Sequence, residues 1–310
     1  MKVMKVMKVT QDTIKYYLLV FLFILSMVTV AMFFNDPEIV LPEVAALAIG
    51  LWVFQEKAWL RQPRMIFILP SLTALMGFGL NMLALPYVVK IVLILMLMLL
   101  LMRVINYSLP PALATGFLPI VTNAHAWSFI YAILVTTFIL MLVVYILKLN
   151  KDIDSKGKVN TKMMYPYALI SVLWIAIAYY SGNQQMAVIP PIAVVLYESL
   201  NMKMYSLKIA LKQVAILTVA ISIGVILYYF IAHWLVMATL FMIIMYVLSQ
   251  LFQMKIPAVY AFPFLVYVFP AEKVVSLPIA TLVVASFSFG SVYIYRTYLQ
   301  SKLVAQPVEK

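Results

Sequence analysis

The chain has 310 residues, of which 66% are hydrophobic and only 10% are charged, and its formal net charge is +12. A soluble domain has about a quarter of its residues charged, so the composition excludes water as the main solvent and predicts a protein embedded in a lipid bilayer. The chain has no cysteine, which excludes disulfides, thiolate metal sites and cysteine nucleophiles, and its two histidines are too few for a multi-histidine metal centre.

Twelve apolar runs follow one another along the chain, separated by short polar or proline-bearing breaks. They cover residues 16–34, 41–54, 65–84, 86–103, 109–122, 126–147, 164–181, 187–200, 209–232, 234–252, 256–270 and 275–296. A helix of about 20 apolar residues is long enough to cross a bilayer. The sequence therefore predicts an all-α polytopic membrane protein with about twelve transmembrane segments.

The positions of the basic residues predict how these runs are threaded. If every run crosses and the first starts in the cytoplasm, only Lys90 and Lys273 of the 22 lysines and arginines lie towards the outside. Because cytoplasmic loops are enriched in Lys and Arg, we predict a cell-membrane protein with two cytoplasmic tails, a basic one at 1–15 and a second at 297–310. Topology thus accounts for the positive charge, and we expect no nucleic-acid partner.

Four of the runs are short, and each begins at or beside proline. Runs 41–54, 109–122, 187–200 and 256–270 have 14 or 15 residues, which is about 21 Å of helix against a hydrocarbon core of about 30 Å. Proline is favourable in the first turn, where the amide has no partner within the helix. Such segments span a bilayer only if tilt, extended backbone or surrounding protein makes up the difference.

The order of long and short runs occurs twice. VLPEVAALAIGLW at 40–52 is similar to VIPPIAVVLYESL at 188–200, and YSLPPALATGFLP lies 147 residues before MKIPAVYAFPFLV. We therefore predict two six-segment repeats, residues 16–147 and 164–296, joined by a charged cytoplasmic linker at 148–163. Six crossings per repeat give both repeats the same orientation, with a pseudo-twofold axis along the membrane normal.

The paired short segments are the predicted substrate site. Short, interrupted apolar segments at corresponding positions of two halves form the site in many transporters, and a helix N-terminus presents unpaired amides that suit an anion. The alternative is that they are tilted spans with proline where the chain enters the membrane. The predicted site residues are Pro42, Glu43, Ala45, Pro110, Pro111, Ala112, Gly116, Pro190, Pro191, Pro257 and Ala258.

Individual polar residues have two interpretations each. Glu43 is either a helix-capping acid at the outer interface or a proton- or sodium-coupling group, and Glu198 is expected to form an interfacial ion pair with Lys203. Lys90 either extends its ammonium to the outer interface or binds an anion. The glycines at 77, 79 and 224 are interpreted as positions of close helix packing.

Three short motifs in the first half occur in a characteristic order. They are Gln62-Pro63-Arg64, then Pro110-Pro111 followed by Ala112, Ala114 and Gly116, then Trp127-Ser128-Phe129. In these motifs the chain resembles the HPP family of integral membrane proteins over residues of about 35–147, with Leu109 in place of the family histidine, and the second half looks like a diverged second copy. The resemblance implies a carrier for a small anion such as nitrite.

The function predicted from these features is a transporter or channel for a small solute, favouring a small inorganic anion. No nucleotide-binding motif occurs in the sequence, so ATP-driven transport is not encoded in this chain. The alternative is a membrane-embedded scaffold or subunit without transport activity of its own. We expect no enzymatic activity, cofactor or metal; the expected partners are lipid and the solute, and assembly into a homo-oligomer is left open.

Overall fold

The computed structural model describes residues 11–154 and 159–305, and every regular element in these ranges is a helix. The all-α prediction is therefore confirmed for this part of the chain. Eight of the helices are long and apolar enough to cross a membrane, by length and composition. These are α1 (Gln11–Phe34), α4 (Arg64–Asn81), α5 (Tyr87–Ile105), α7 (Trp127–Ile146), α8 (Thr161–Tyr180), α10 (Leu207–Phe230), α11 (Trp234–Phe252) and α14 (Leu277–Ala305).

Four short segments occupy the positions of the four short runs. The first is α2 (Pro42–Ala48), which continues into a π-helical turn at Ile49–Val53. The second and third are α6 (Pro111–Val121) and α9 (Pro190–Asn201). The fourth consists of 3-10 turns at Pro257–Tyr260 and Phe262–Phe264 followed by α12 (Leu265–Val268). A second proline, Pro263, explains why this segment is not one α-helix, since proline removes a backbone donor and disrupts the preceding turn.

Brief helical elements lie in the connections between these segments. They are 3-10 turns at Pro37–Ile39 and Gln184–Met186, α3 (Lys57–Leu60) and α13 (Ala271–Val274). Helix α14 runs nine residues beyond the predicted boundary at 296, to Ala305. Parts of the predicted tails and linker, namely residues 1–10, 155–158 and 306–310, lie outside the described residues.

The short segments form the centre of the helical bundle. Helix α2 contacts α6 and the 257–260 turn, and α9 contacts the same two elements. Every residue of α2 and of α6 is buried. In each of the eight long helices, by contrast, only 28–50% of the most apolar stretch is buried. The long helices therefore surround the short segments and turn their exposed apolar side chains outward, as a protein in lipid requires.

The central segments run from one end of the bundle to the other. We call the end with residues 56–61, 107–110, 159–160 and 255–257 the linker end, because these residues line one cavity beside the linker. The opposite end, with residues 81–90, 120–123, 182–185 and 269–273, is the far end, where a second cavity lies. Helix α6 starts at the linker end and finishes at the far end, as does the segment that begins at Pro257, whereas α9 runs the opposite way.

Two local arrangements occur twice, 147 residues apart. Asn106 ends α5 in the left-handed conformation at φ 54°, and Gln253 ends α11 in the same way at φ 52°. A methyl group added at Gly77 on α4 would overlap the carbonyl oxygen of Gly116 on α6, and one added at Gly224 on α10 would lie 2.8 Å from Cα of Pro263. The packing interpretation of Gly77 and Gly224 is confirmed; that of Gly79 is wrong, since nothing lies within 4 Å of its methyl position.

Candidate functional site

The linker-end cavity has a volume of about 400 Å³ and contains four charged side chains. Glu56 and Arg61 come from the connection that carries α3, Glu198 comes from the last turn of α9, and Lys255 precedes the fourth short segment. Two acids and two bases give this cavity a formal charge of zero. It is therefore a polar chamber without a net preference for one sign of ligand charge.

Glu56 precedes the first residue of α3 and is half-buried. Burial raises the pKa of its carboxyl, because a low-dielectric environment disfavours the charged form, while the nearby Lys255 ammonium acts in the opposite direction. Glu56 also lies close enough to Glu198 for their negative charges to repel. This pair of acids is the feature of the linker-end cavity best suited to bind a proton or cation.

Tyr107 holds the wall of this cavity in place. Its hydroxyl donates to the carbonyl oxygens of Ala58 and Trp59, at 3.1 Å and 2.9 Å. The side chain is buried, and burial raises the pKa of the hydroxyl to about 12, so it remains a donor at physiological pH. The connection carrying α3 is thereby fixed to the turn that precedes α6.

The far-end cavity has a volume of about 530 Å³ and a different chemistry. Its charged lining residues are Lys90 and Lys273, and none of the described residues that line it is acidic. Side-chain amides of Asn81, Asn123, Gln184 and Gln185 complete its polar surface. This cavity therefore presents positive charge and neutral hydrogen-bonding groups to a ligand.

Two further spaces are of less use to a polar solute. A groove of about 510 Å³ lies between α1 and α7 and has mainly apolar walls. A space of about 30 Å³ lies among α6, α8, α9 and α14, beside Phe117 and Leu196. It has the volume of one water molecule. None of the four cavities described here connects the linker end with the far end.

The structure separates the predicted site residues into two groups. Pro110 and Pro257 line the linker-end cavity, and their neighbours Pro111, Ala112 and Ala258 are buried behind them. Gly116 lies deeper in α6, where an added methyl group would overlap Sδ of Met98 on α5 and lie 3.3 Å from Cβ of Thr73 on α4. The remaining residues are buried and line none of the four cavities; they are Pro42, Glu43, Ala45, Pro190 and Pro191.

The first-turn amides of α6 and α9 already have backbone partners. Ala112 donates to Leu109 and Leu113 donates to Pro110, both at 2.9 Å, and the amides of Ile192 and Ala193 both donate to Ile189. The first residues of these helices are prolines, which have no amide hydrogen. Cavity side chains therefore offer better ligand contacts than the termini of these two helices.

Glu43 is enclosed by protein and does not face the surroundings of the molecule. Its side chain is 2% exposed, and Oε1 has no hydrogen-bond partner among the described residues. An ionisable group enclosed in a membrane protein is costly to bury and commonly functional. Its burial favours the coupling interpretation over that of an interfacial cap.

Several site residues escaped the sequence interpretation. Asn123, Gln184, Gln185 and Glu56 lie in polar breaks, and no local pattern connects breaks that are distant in sequence. Glu198, which was expected to pair with Lys203 at the interface, lines the linker-end cavity together with Lys255. In the sequence, one feature indicated the far-end cavity: Lys90 and Lys273 are the two basic residues that the predicted threading places towards the outside.

Comparisons with family models, with curated proteins and with solved structures find no match for this chain. The resemblance to the HPP family therefore stays a prediction that rests on its three motifs. The fold defines the class of protein: it is all-helical in the described residues, with eight helices suited to a lipid bilayer.

Proposed function

We propose that this protein is a membrane carrier for a small solute and that it favours a small inorganic anion such as nitrite. One observation carries the proposal. Two polar cavities lie at opposite ends of the same buried segments. Pro110, just before α6, and Pro257 line the linker-end cavity, and the far ends of the same two segments line the far-end cavity. For α9 the order is reversed: the connection before it lines the far-end cavity and its last turn lines the linker-end cavity. A carrier needs such an arrangement, because a solute must reach a central region from each side without an open passage between them.

The segments between the two cavities favour a carrier over an open channel. All eleven residues of α6 are buried, among them Phe117 in its middle. An open channel would instead expose residues of this helix along a continuous water-filled path. Transport then requires the surrounding helices to move relative to the central ones, which would open the two cavities in turn.

Twelve crossings in two parallel repeats are part of this proposal. The short segments run between the linker end and the far end of the bundle, which supports counting each of them as a membrane crossing. Contacts between the halves occur in matching pairs: α5 contacts α8 as α11 contacts α1, and α6 contacts α9 as the 257–260 turn contacts α2. Equivalent connections, 107–110 and 255–257, line the same cavity, as expected for repeats with the same orientation.

The charge distribution supports an orientation with the linker end in the cytoplasm. Of the 22 basic residues, only Lys90 and Lys273 belong to the far end under the threading given above. Since basic residues concentrate in cytoplasmic connections, we infer that the far-end cavity opens outward in the cell membrane and that both termini are cytoplasmic.

Flux through the purified protein in lipid vesicles tests this function. We expect uptake of nitrite that is accelerated by nitrite on the opposite side, because exchange across a carrier is faster than net flow. Ser108→Trp, which fills the linker-end cavity, should abolish uptake. Leu100→Trp on the exposed face of α5 should not, because that face points away from the central segments.

Failure of the purified protein to move any small anion would contradict the proposal and favour the scaffold or subunit alternative. Flux that is not accelerated from the opposite side, and that rises linearly with concentration, would indicate a channel.

A further inference from the structure

The only two basic residues expected at the far end come together in one cavity. Lys90 is in the first turn of α5, and Lys273 is in α13, on opposite halves of the chain. No other basic residue of the described part of the chain lines this cavity. Both lysines are half-buried. The electric field of each ammonium group therefore depends on protein on one side and on solvent on the other.

Lys90 is held in position by buried polar groups. Its ammonium donates to the carbonyl oxygen of Asn81 at 2.7 Å and lies 3.5 Å from Oδ1 of the same residue. Asn81 is 4% exposed, and its side-chain amide donates to the Ala124 carbonyl at 2.9 Å. An ammonium has three donors, so Lys90 can hold the end of α4 and still present a donor to the cavity.

Lys273 adds the second charge from the other half of the chain. It lies in a single turn whose backbone is closed by a bond from the Lys273 amide to the Pro270 carbonyl, at 2.8 Å. The neighbouring Glu272 is exposed and does not line the cavity. Among the described residues, the lining therefore carries two positive charges that no lining carboxylate balances.

The size and lining of the cavity indicate how it would act on an anion. About 530 Å³ is far larger than a bare inorganic anion, and Asn123, Gln184 and Gln185 are exposed at its mouth. A hydrated ion fits there without losing its water. Charge of one sign within a concave, low-dielectric wall raises the local concentration of the opposite ion.

We propose that the far-end cavity is an anion-concentrating mouth in which Lys90 and Lys273 act together on small anions. The inference rests on the proposed carrier function for its biological role, but its electrostatic content can be measured without transport. It assigns the anion preference to two side chains at one end of the molecule and not to the proline-started helix termini.

The absence of cysteine from the chain allows a direct test. Gln185→Cys places a single thiol at the cavity, and Ala232→Cys, at an exposed position in a connection that does not line it and has no acidic neighbour in sequence, serves as the positional control. In the purified full chain, rates of modification are measured with an anionic and a cationic methanethiosulfonate of similar size. The ratio of anionic to cationic rates is normalised to that of a free thiol.

We expect the normalised ratio at Gln185→Cys to be at least about fivefold above that at Ala232→Cys in low salt. Adding Lys90→Gln or Lys273→Gln should lower it about two- to threefold each, and the double change should bring it to the control value. Glu272→Gln, which removes a neighbouring charge outside the cavity, should not lower it. High salt should reduce the difference, since it screens charges beyond the Debye length.

A ratio at Gln185→Cys that equals the control, or that both lysine changes leave unaltered, would overturn the proposal. Nitrite flux in the same variants separates this inference from the carrier function. A high, lysine-dependent ratio without any flux would support the anion mouth and contradict the carrier, whereas flux with a ratio at the control value would do the reverse.

Discussion

The two end cavities have similar volumes but differ in charge: one is formally neutral and the other is positive. The linker-end cavity sets Glu56 and Glu198 against Arg61 and Lys255, while the far-end cavity has Lys90 and Lys273 without a lining acid. Both lie at the ends of the same central segments, but of their charged lining residues only Glu198, in α9, belongs to a central segment. The difference in charge therefore comes mainly from the connections and from the first turn of α5. An anion would be drawn to the far end and meet no net attraction at the linker end, which would allow its release there.

The first prediction concerns whether the cavities lie on opposite faces of the membrane. In intact cells, Gln185→Cys should be fully labelled by an impermeant thiol reagent, while Ala58→Cys, exposed at the linker end, should be labelled only after permeabilisation. The physical reason is the positive-inside distribution. Labelling of both positions from outside would show that the two cavities do not lie on opposite faces of the membrane.

The second prediction tests the wall that separates the cavities. Gly77→Ala should destabilise the protein by about 1–3 kcal/mol, because the added methyl overlaps the Gly116 carbonyl and the backbone must shift. We expect a fall in the melting temperature of detergent-solubilised protein of about 2 to 10 °C.

Gly79→Ala is the matched control on the same helix, since its methyl group would meet nothing within 4 Å. It should leave the melting temperature unchanged or raise it slightly, as alanine favours helix over glycine by about 1 kcal/mol. Equal losses for the two variants would mean that α4 and α6 are not in close contact.

The third prediction compares the charges of the two ends in transport. Lys90→Glu with Lys273→Glu should lower initial nitrite uptake from the far end about tenfold at low ionic strength, because attraction becomes repulsion. Neutralising Arg61 and Lys255 to glutamine should lower it less than about threefold, because it changes the formal charge of the linker-end cavity only from zero to −2, half the change made at the far end, and acts on the cavity that the anion reaches second. A larger effect at the linker end would show that selection of the anion occurs there.

The fourth prediction, with the smallest expected effect, concerns Glu56, one of the two acids at the linker end. Because burial raises the pKa of Glu56 above its value in an unfolded chain, the folded state binds the proton more tightly than the unfolded state. The associated stability is fully present below the unfolded pKa and is lost as the pH rises through the folded pKa. Glu56→Gln should remove this loss, which corresponds to a melting-temperature change of about 1–3 °C.

The measurement for Glu56 is a melting curve at intervals between pH 4 and pH 8. Glu272→Gln, an equal change of charge at an exposed far-end position, provides the reference slope. If Glu56→Gln and Glu272→Gln give the same pH dependence as the unsubstituted protein, burial of Glu56 does not contribute to stability.

Local sequence was sufficient for the elements whose boundaries depend on local chemistry. Run 109–122 became helix Pro111–Val121 and run 187–200 became Pro190–Asn201, because proline at the start and polar residues at the end act within a single turn. Run 256–270 was less well predicted, since its hydropathy is uniform while Pro263 divides its backbone into separate turns.

The amino-acid sequence by itself determined that this protein is helical, apolar and made of long and short segments, because hydropathy and proline act along the chain. The tertiary structure decided which polar residues face one another. Lys90 and Lys273 share a cavity, and Glu43 is enclosed, because helices from both halves pack around four central segments. Such proximity depends on how helices cross, as at Gly77 and Gly116, and no pattern within one segment encodes it.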